Sequence, residues 1–74
     1  MDLTKRTKSE LSLGIALAQL LLRSNGRLGQ NFYTIPEVKA SFYALANLTA
    51  YSGDWMDLDL HVILFQLEEE HEKR

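Results

Sequence analysis

The side chains able to do chemistry are few and poorly clustered. Asp57 and His61 stand four residues apart, a spacing that lets a carboxylate and an imidazole touch on one helix face. A metal site needs three or four ligands. Asp54 is about two helical turns from His61, and His71 is ten residues further along on a different face. The chain has no cysteine, so thiolate ligands and disulfides are excluded. No serine stands in a nucleophile-elbow sequence, and Gly26-Arg27-Leu28-Gly29 lacks the spacing of a phosphate-binding loop. The adjacent carboxylates Glu68 to Glu70 read as a solvated face. The expectation is a protein with no catalytic site, no cofactor and no bound metal.

What remains is recognition, and charge limits its kind. The net charge of −2 hides an asymmetry: residues 1–39 carry +3 and residues 40–74 carry −5. Lys5, Arg6 and Lys8 form a basic arm able to touch a phosphate backbone. In a turn-then-helix reading the third helix would be the recognition element, yet its start carries Asp54, Asp57 and Asp59, which phosphate repels. A small helical DNA-binding regulator is therefore the second choice of function. The basic residues before the apolar run 11–22 superficially resemble a secretory signal, but Asp2 and Glu10 interrupt the basic region and no small-x-small cleavage site follows. The run is also far short of the ~20 residues that cross a bilayer. The expectation is a cytoplasmic chain that does not contact membrane.

These residues must be positioned by a small scaffold. Seventy-four residues make one domain, spanning 1–74, with a modest core; without disulfides or metal, such a chain gains most from a second subunit. Hydrophobic periodicity predicts an all-α three-helix bundle, with helices at about 7–24, 35–52 and 55–72, completed by homodimerisation.

The first helix is the organising element. Leu11, Leu13, Gly14, Ile15, Leu17, Ala18, Leu20, Leu21 and Leu22 cover roughly two-thirds of its circumference, so it must be covered from at least two sides, with Leu17 and Leu21 buried. Thr7 and Glu10 have capping-box spacing. Met1 to Arg6 reads as a frayed arm or an early turn of helix, and Asn25-Gly26 reads as the stop signal. Phe32 and Tyr33 in the following loop are expected to fold back as a lid. Thr34-Ile35-Pro36-Glu37 opens the second helix with a cap and a proline in the first turn. Its apolar stripe is Ile35, Val38, Phe42, Leu45, Ala46 and Thr49, and Ser52-Gly53 ends it.

Asp54 then caps the third helix. The alternation of apolar and polar residues over 57–65 also fits a strand, which leaves an α+β fold as the alternative. Helix is preferred because the segment runs unbroken into Leu67-Glu68-Glu69-Glu70, which are strong helix formers. On a helix, Met56, Leu60, Ile63, Leu64 and Leu67 share one face. Trp55, Leu58, Val62 and Phe65 share another on roughly the opposite side, and a single neighbour cannot bury both.

The functional expectation follows from that second face. The chain reads as a small, dimeric, non-enzymatic interaction module, a regulator, adaptor or inhibitor of a larger protein, of the kind carried by phages and mobile elements. Trp55, Leu58, Val62 and Phe65 form its interface, as the large anchors favoured at contact hot spots. Either the patch meets itself in a twofold homodimer, the first choice, or it docks the target. Asp54, Asp57 and Asp59 are candidate partner-contact charges toward a basic surface. At ~150 mM salt, a gel shift with duplex DNA is expected to show no more than weak contact through Lys5, Arg6 and Lys8. Sequence-specific retention abolished by substitutions in the third helix would reverse that ranking.

Overall fold

A computed structural model describes residues 3–28, 35–50 and 59–74, with the backbone alone for residues 25–28. Three helices lie within them: α1 (Lys8–Leu28), α2 (Pro36–Thr49) and α3 (Leu60–Glu72). None of the described residues is in a strand, so residues 60–65 are helical and the strand alternative is overturned for them; residues 57 and 58 lie outside the described residues.

α1 starts where the capping box places it. Glu10 N–H donates to Thr7 Oγ1 at 3.1 Å, and Thr7 N–H donates to Glu10 Oε1 at 2.9 Å. Two orphan amides are thereby satisfied by two side chains of the same turn. The Thr7 amide holds the Glu10 carboxyl below its ordinary value. Arg6 Nη1 adds a 3.2 Å contact to Glu10 Oε2 and reaches across to the Asn47 carbonyl of α2 with Nη2, also at 3.2 Å. Residues 3–6 form a turn closed by Arg6 N–H to Leu3 O at 3.1 Å, with Leu3 buried in the core, rather than a frayed arm. Arg74 clasps that turn, donating to the carbonyls of Leu3 (3.1 Å) and Thr4 (2.6 Å) while Glu70 Oε1 holds it at 3.2 Å.

Asn25-Gly26 does not stop α1, which runs on to Leu28. Both residues tolerate the left-handed conformation without requiring it, and glycine inside a helix costs only about 1 kcal/mol. The start of α2 is also shifted. Its N-cap is Ile35, extended at φ −79° and ψ 127°, with no side-chain cap. Proline at the first helical position explains this, since it forces the preceding residue out of the helical region and has no N–H to satisfy. Thr34, the expected cap, lies outside the described residues, as do Phe32, Tyr33, Ser52 and Gly53. α2 ends earlier than expected: Ala50 adopts the left-handed conformation (φ 58°, ψ 30°), and its N–H turns back to the carbonyls of Ala46 and Asn47.

The largest correction concerns the third helix, which does not run unbroken from residue 55. Asp59 is extended (φ −91°, ψ 97°), and its carboxylate accepts from the amides of His61 and Val62 at 3.1 and 3.2 Å. A short carboxylate that captures the next amides competes with the helix it would otherwise continue, so α3 begins at Leu60. The expected cap Asp54 lies outside the described residues. The far end, Glu72, is as expected.

α1 is the central post. It packs against both α2 and α3, which barely touch each other. Leu11, Ala18 and Leu21 of α1, Val38, Phe42, Leu45 and Leu48 of α2, and Leu60, Ile63 and Leu67 of α3 form one core together with Leu3. The α2 stripe is as expected: Val38, Phe42, Leu45 and Thr49 are buried, and Ile35 and Ala46 are half-buried. Thr49 is tolerated in the core because its hydroxyl donates to Leu45 O at 2.9 Å. Leu21 is buried as expected, but Leu17 is only half-buried. It packs against the edge of the core, next to the flank where Leu13 and Leu20 are exposed.

Gly14 lets three helices meet at one level. A Cβ there would stand 3.0 and 3.3 Å from the two methyls of Leu67 and 3.1 Å from Leu48 Cδ2. Those methyls end flexible side chains, so they can yield to a small group but not to a large one. Gly14→Ala is expected to change stability by less than about 1 kcal/mol, because gained helix propensity offsets the tight contact. Gly14→Leu is expected to cost about 1–3 kcal/mol by overpacking. Denaturant titration of the two variants checks this, and wild-type stability in Gly14→Leu contradicts the packing described here.

Candidate functional site

α3 has one face in the core and one turned away from it. Leu60, Ile63 and Leu67 are buried and Leu64 is half-buried, all against α1. About half a turn around the helix, Val62 is 48% exposed and Phe65 64% exposed. The amphipathic period places both on the surface because the helix has no second neighbour among the described residues. An aromatic ring so placed leaves most of its apolar area in water. Of the four residues expected to form an interface, these two are on one outward face; Trp55 and Leu58 lie outside the described residues.

Carboxylates stand on the C-terminal side of the exposed ring. Phe65, Glu68, Glu69 and Glu72 line an open depression on this face. Glu69 has only a distant exposed partner, Lys73 Nζ at 3.8 Å, a geometry that contributes little. Glu70 is turned toward the C-terminal end, held by Arg74 at 3.2 Å and Lys73 at 3.9 Å. Glu68 and Glu72 have no ion-pair partner among the described residues. An apolar centre with unneutralised negative charge at its rim suits an apolar group carried beside a cation.

The other expected site residues are placed differently from one another. Asp59 is exposed, and its Oδ1 accepts from the His61 and Val62 amides, which caps α3. Asp54 and Asp57 lie outside the described residues. His61 is exposed on α3. His71 is half-buried, and its Nε2 lies 3.0 Å from Ser12 Oγ, tying the C-terminal part of α3 to the N-terminal part of α1. No three metal-ligating side chains come together among the described residues. No described helix is long and apolar enough to cross a membrane. Of the basic arm, Arg6 is taken up by Glu10 and Asn47, while Lys5 and Lys8 are exposed.

Two features of this surface were missed by the sequence reading. Glu68 and Glu69 read in sequence as part of a solvated face, yet with Glu72 they share a depression with Phe65. A three- or four-residue offset from Phe65 was the available signal. The second is an exposed apolar stripe on α1: Leu13 is 54% and Leu20 48% exposed, with Leu17 half-buried and Ala16 exposed between them. The two-thirds apolar circumference of that helix calls for cover from at least two sides; α2 and α3 supply two, and part of the apolar arc is still exposed.

Comparison with known proteins finds no matching family model, no matching curated protein and no matching solved structure.

If the outward face of α3 is free of any structural duty, polar substitution there leaves the fold intact. Phe65→Ser and Val62→Ser are expected to shift stability by no more than about 0.5 kcal/mol. Leu67→Ser, two residues away and fully buried, is expected to lose at least 2 kcal/mol, roughly the cost of a large-to-small core change. Thermal melts by circular dichroism make the comparison. Equal losses at positions 65 and 67 mean that Phe65 is core.

Proposed function

We propose that this chain is a non-enzymatic, dimeric protein-binding module, a cytoplasmic regulator, adaptor or inhibitor, and that the outward face of α3 is its docking surface for a larger protein. The observation that carries the reading is Phe65, largely exposed in an open depression with Glu68, Glu69 and Glu72. Trp55 and Leu58, apolar residues close by in sequence, are proposed as part of the same surface.

The partner this face fits is basic. Between residues 54 and 72 the sequence has seven Asp and Glu residues and no Lys or Arg. A parallel twofold contact of this face with itself sets Glu68 against Glu68 and Glu72 against Glu72, and like charges juxtaposed at an interface are costly; an antiparallel one still joins two segments of the same negative sign. A target presenting an apolar side chain flanked by Lys or Arg meets the same face with complementary charge. That chemistry includes the nucleic-acid-binding surface of another protein, which this chain would then block. The acidity of α3 argues equally against the alternative, direct docking of α3 on DNA.

Affinity capture from the source cell with wild type and with folded variants tests the reading. A partner retained by wild type, lost with Phe65→Ser, weakened by Glu68→Lys with Glu72→Lys, and released by salt is the expected outcome. A partner retained equally by all three proteins removes the α3 face from the function.

A further inference from the structure

The exposed stripe on α1 is a second and different surface. Ser9, Leu13, Ala16, Leu20 and Arg23 recur at alternating intervals of four and three residues, the period of a helix-pairing seam. All five are exposed, with Leu17 half-buried at the edge. We propose that this seam is covered by the same seam of a second copy of the chain, with the two α1 helices antiparallel about a twofold axis level with Ala18. The proposal goes beyond the docking function of α3 and assigns dimer and target to separate faces.

Three observations select a second copy as the occupant. The first is size. In this register Ala16 lies opposite Leu20 of the second copy, and Leu20 opposite its Ala16, so each large side chain meets a small one and the helices can approach closely. The second is charge. Arg23 is exposed and has no partner among the described residues. Antiparallel pairing lays its stem over Leu13 of the second copy and carries its guanidinium toward Glu10, one turn away on that chain. The Glu10 carboxylate is partly exposed beside Arg6, and a carboxylate can accept from two guanidinium groups. A parallel pairing instead places Arg23 beside Arg23. The third is composition. Between Ser9 and Ser24 the stripe carries no acid other than Glu10, so two copies meet there without the seven acidic residues that each brings between positions 54 and 72.

The absence of cysteine makes a single introduced thiol unique. In the proposed dimer the two copies of residue 16 are offset by about 6 Å along the helix axis, whereas the two copies of residue 9 are about 27 Å apart. Ala16→Cys is therefore expected to give a covalent dimer with a short bis-maleimide, and Ser9→Cys is not. Wild type is expected to sediment as a dimer at high protein concentration, Phe65→Ser to remain dimeric, and Leu13→Glu with Leu20→Glu to become a folded monomer that still captures the α3 partner. A monomeric wild type, a dimer lost on Phe65→Ser but kept in Leu13→Glu with Leu20→Glu, or equal cross-linking at residues 9 and 16 overturns the proposal. Should the double variant fail to fold, the cross-linking pair decides alone. Loss of partner capture on Phe65→Ser bears on the docking reading and leaves the dimer unaffected.

Discussion

The fold depends on one close approach. At Gly14 the backbone of α1 is bare, and Leu48 from α2 and Leu67 from α3 both close on the space a side chain would occupy. Dispersion and apolar burial reward contact only at van der Waals range, so the level of Gly14 sets how near both flanking helices stand. Above and below it, Leu11, Ala18 and Leu21 continue the same inward line. The tethers at the chain ends follow from that approach. Arg6 reaches Asn47, His71 reaches Ser12, and Arg74 reaches the Leu3-Thr4 turn because α2 and α3 already lie against α1. Each tether ties α1, or the turn preceding it, to one of its two neighbours.

This arrangement explains why a very apolar helix coexists with exposed leucines. Two neighbours, both near the Gly14 line, cover one side of α1 and leave the flank with Leu13 and Leu20 turned outward, with Leu17 at its edge. α3 has the same problem in another form, with its inner face against α1 and its outer face against nothing described. A chain of this size has three helices to distribute and more apolar faces than a three-helix arrangement can bury. The two surplus faces differ in charge: Glu68, Glu69 and Glu72 stand beside Phe65 on one, while the other is nearly free of carboxylates, and the two proposed contacts rest on that difference.

The sequence was most legible where a local interaction decides the outcome. Thr7 and Glu10 are three residues apart and close the start of α1 without help from the rest of the fold. The apolar stripes of α2 and α3 were legible for a similar reason, since a 3.6-residue period fixes a face whatever lies opposite it. Helix ends were less legible, because several residues compete for each one. Asp59 outbids continuation of the helix by capturing two amides, and a left-handed Ala50 ends α2 where no glycine or asparagine marked the place. Asn25-Gly26 had residue types that tolerate a stop without requiring one. Leu17 was misjudged for a different reason. Burial on an almost wholly apolar helix is set by where its neighbours land, and periodicity does not contain that information. The candidate site was half legible: Val62 and Phe65 stood out by their face, while the carboxylates beside them looked like ordinary solvated charge.

The role of α1 as the only shared neighbour has a kinetic side. α2 and α3 barely touch, so a hairpin of those two helices has almost no interface of its own and no reason to persist. The contact that joins the ends, α1 with α3, spans most of the chain, and the entropy of closing that long loop must be met before any of its contacts form. Folding of this chain is thus gated by the arrival of its last helix on its first. An encounter that leaves α3 undocked exposes Leu60, Ile63 and Leu67 together with the inner face of α1, and such a species is prone to associate with others like it.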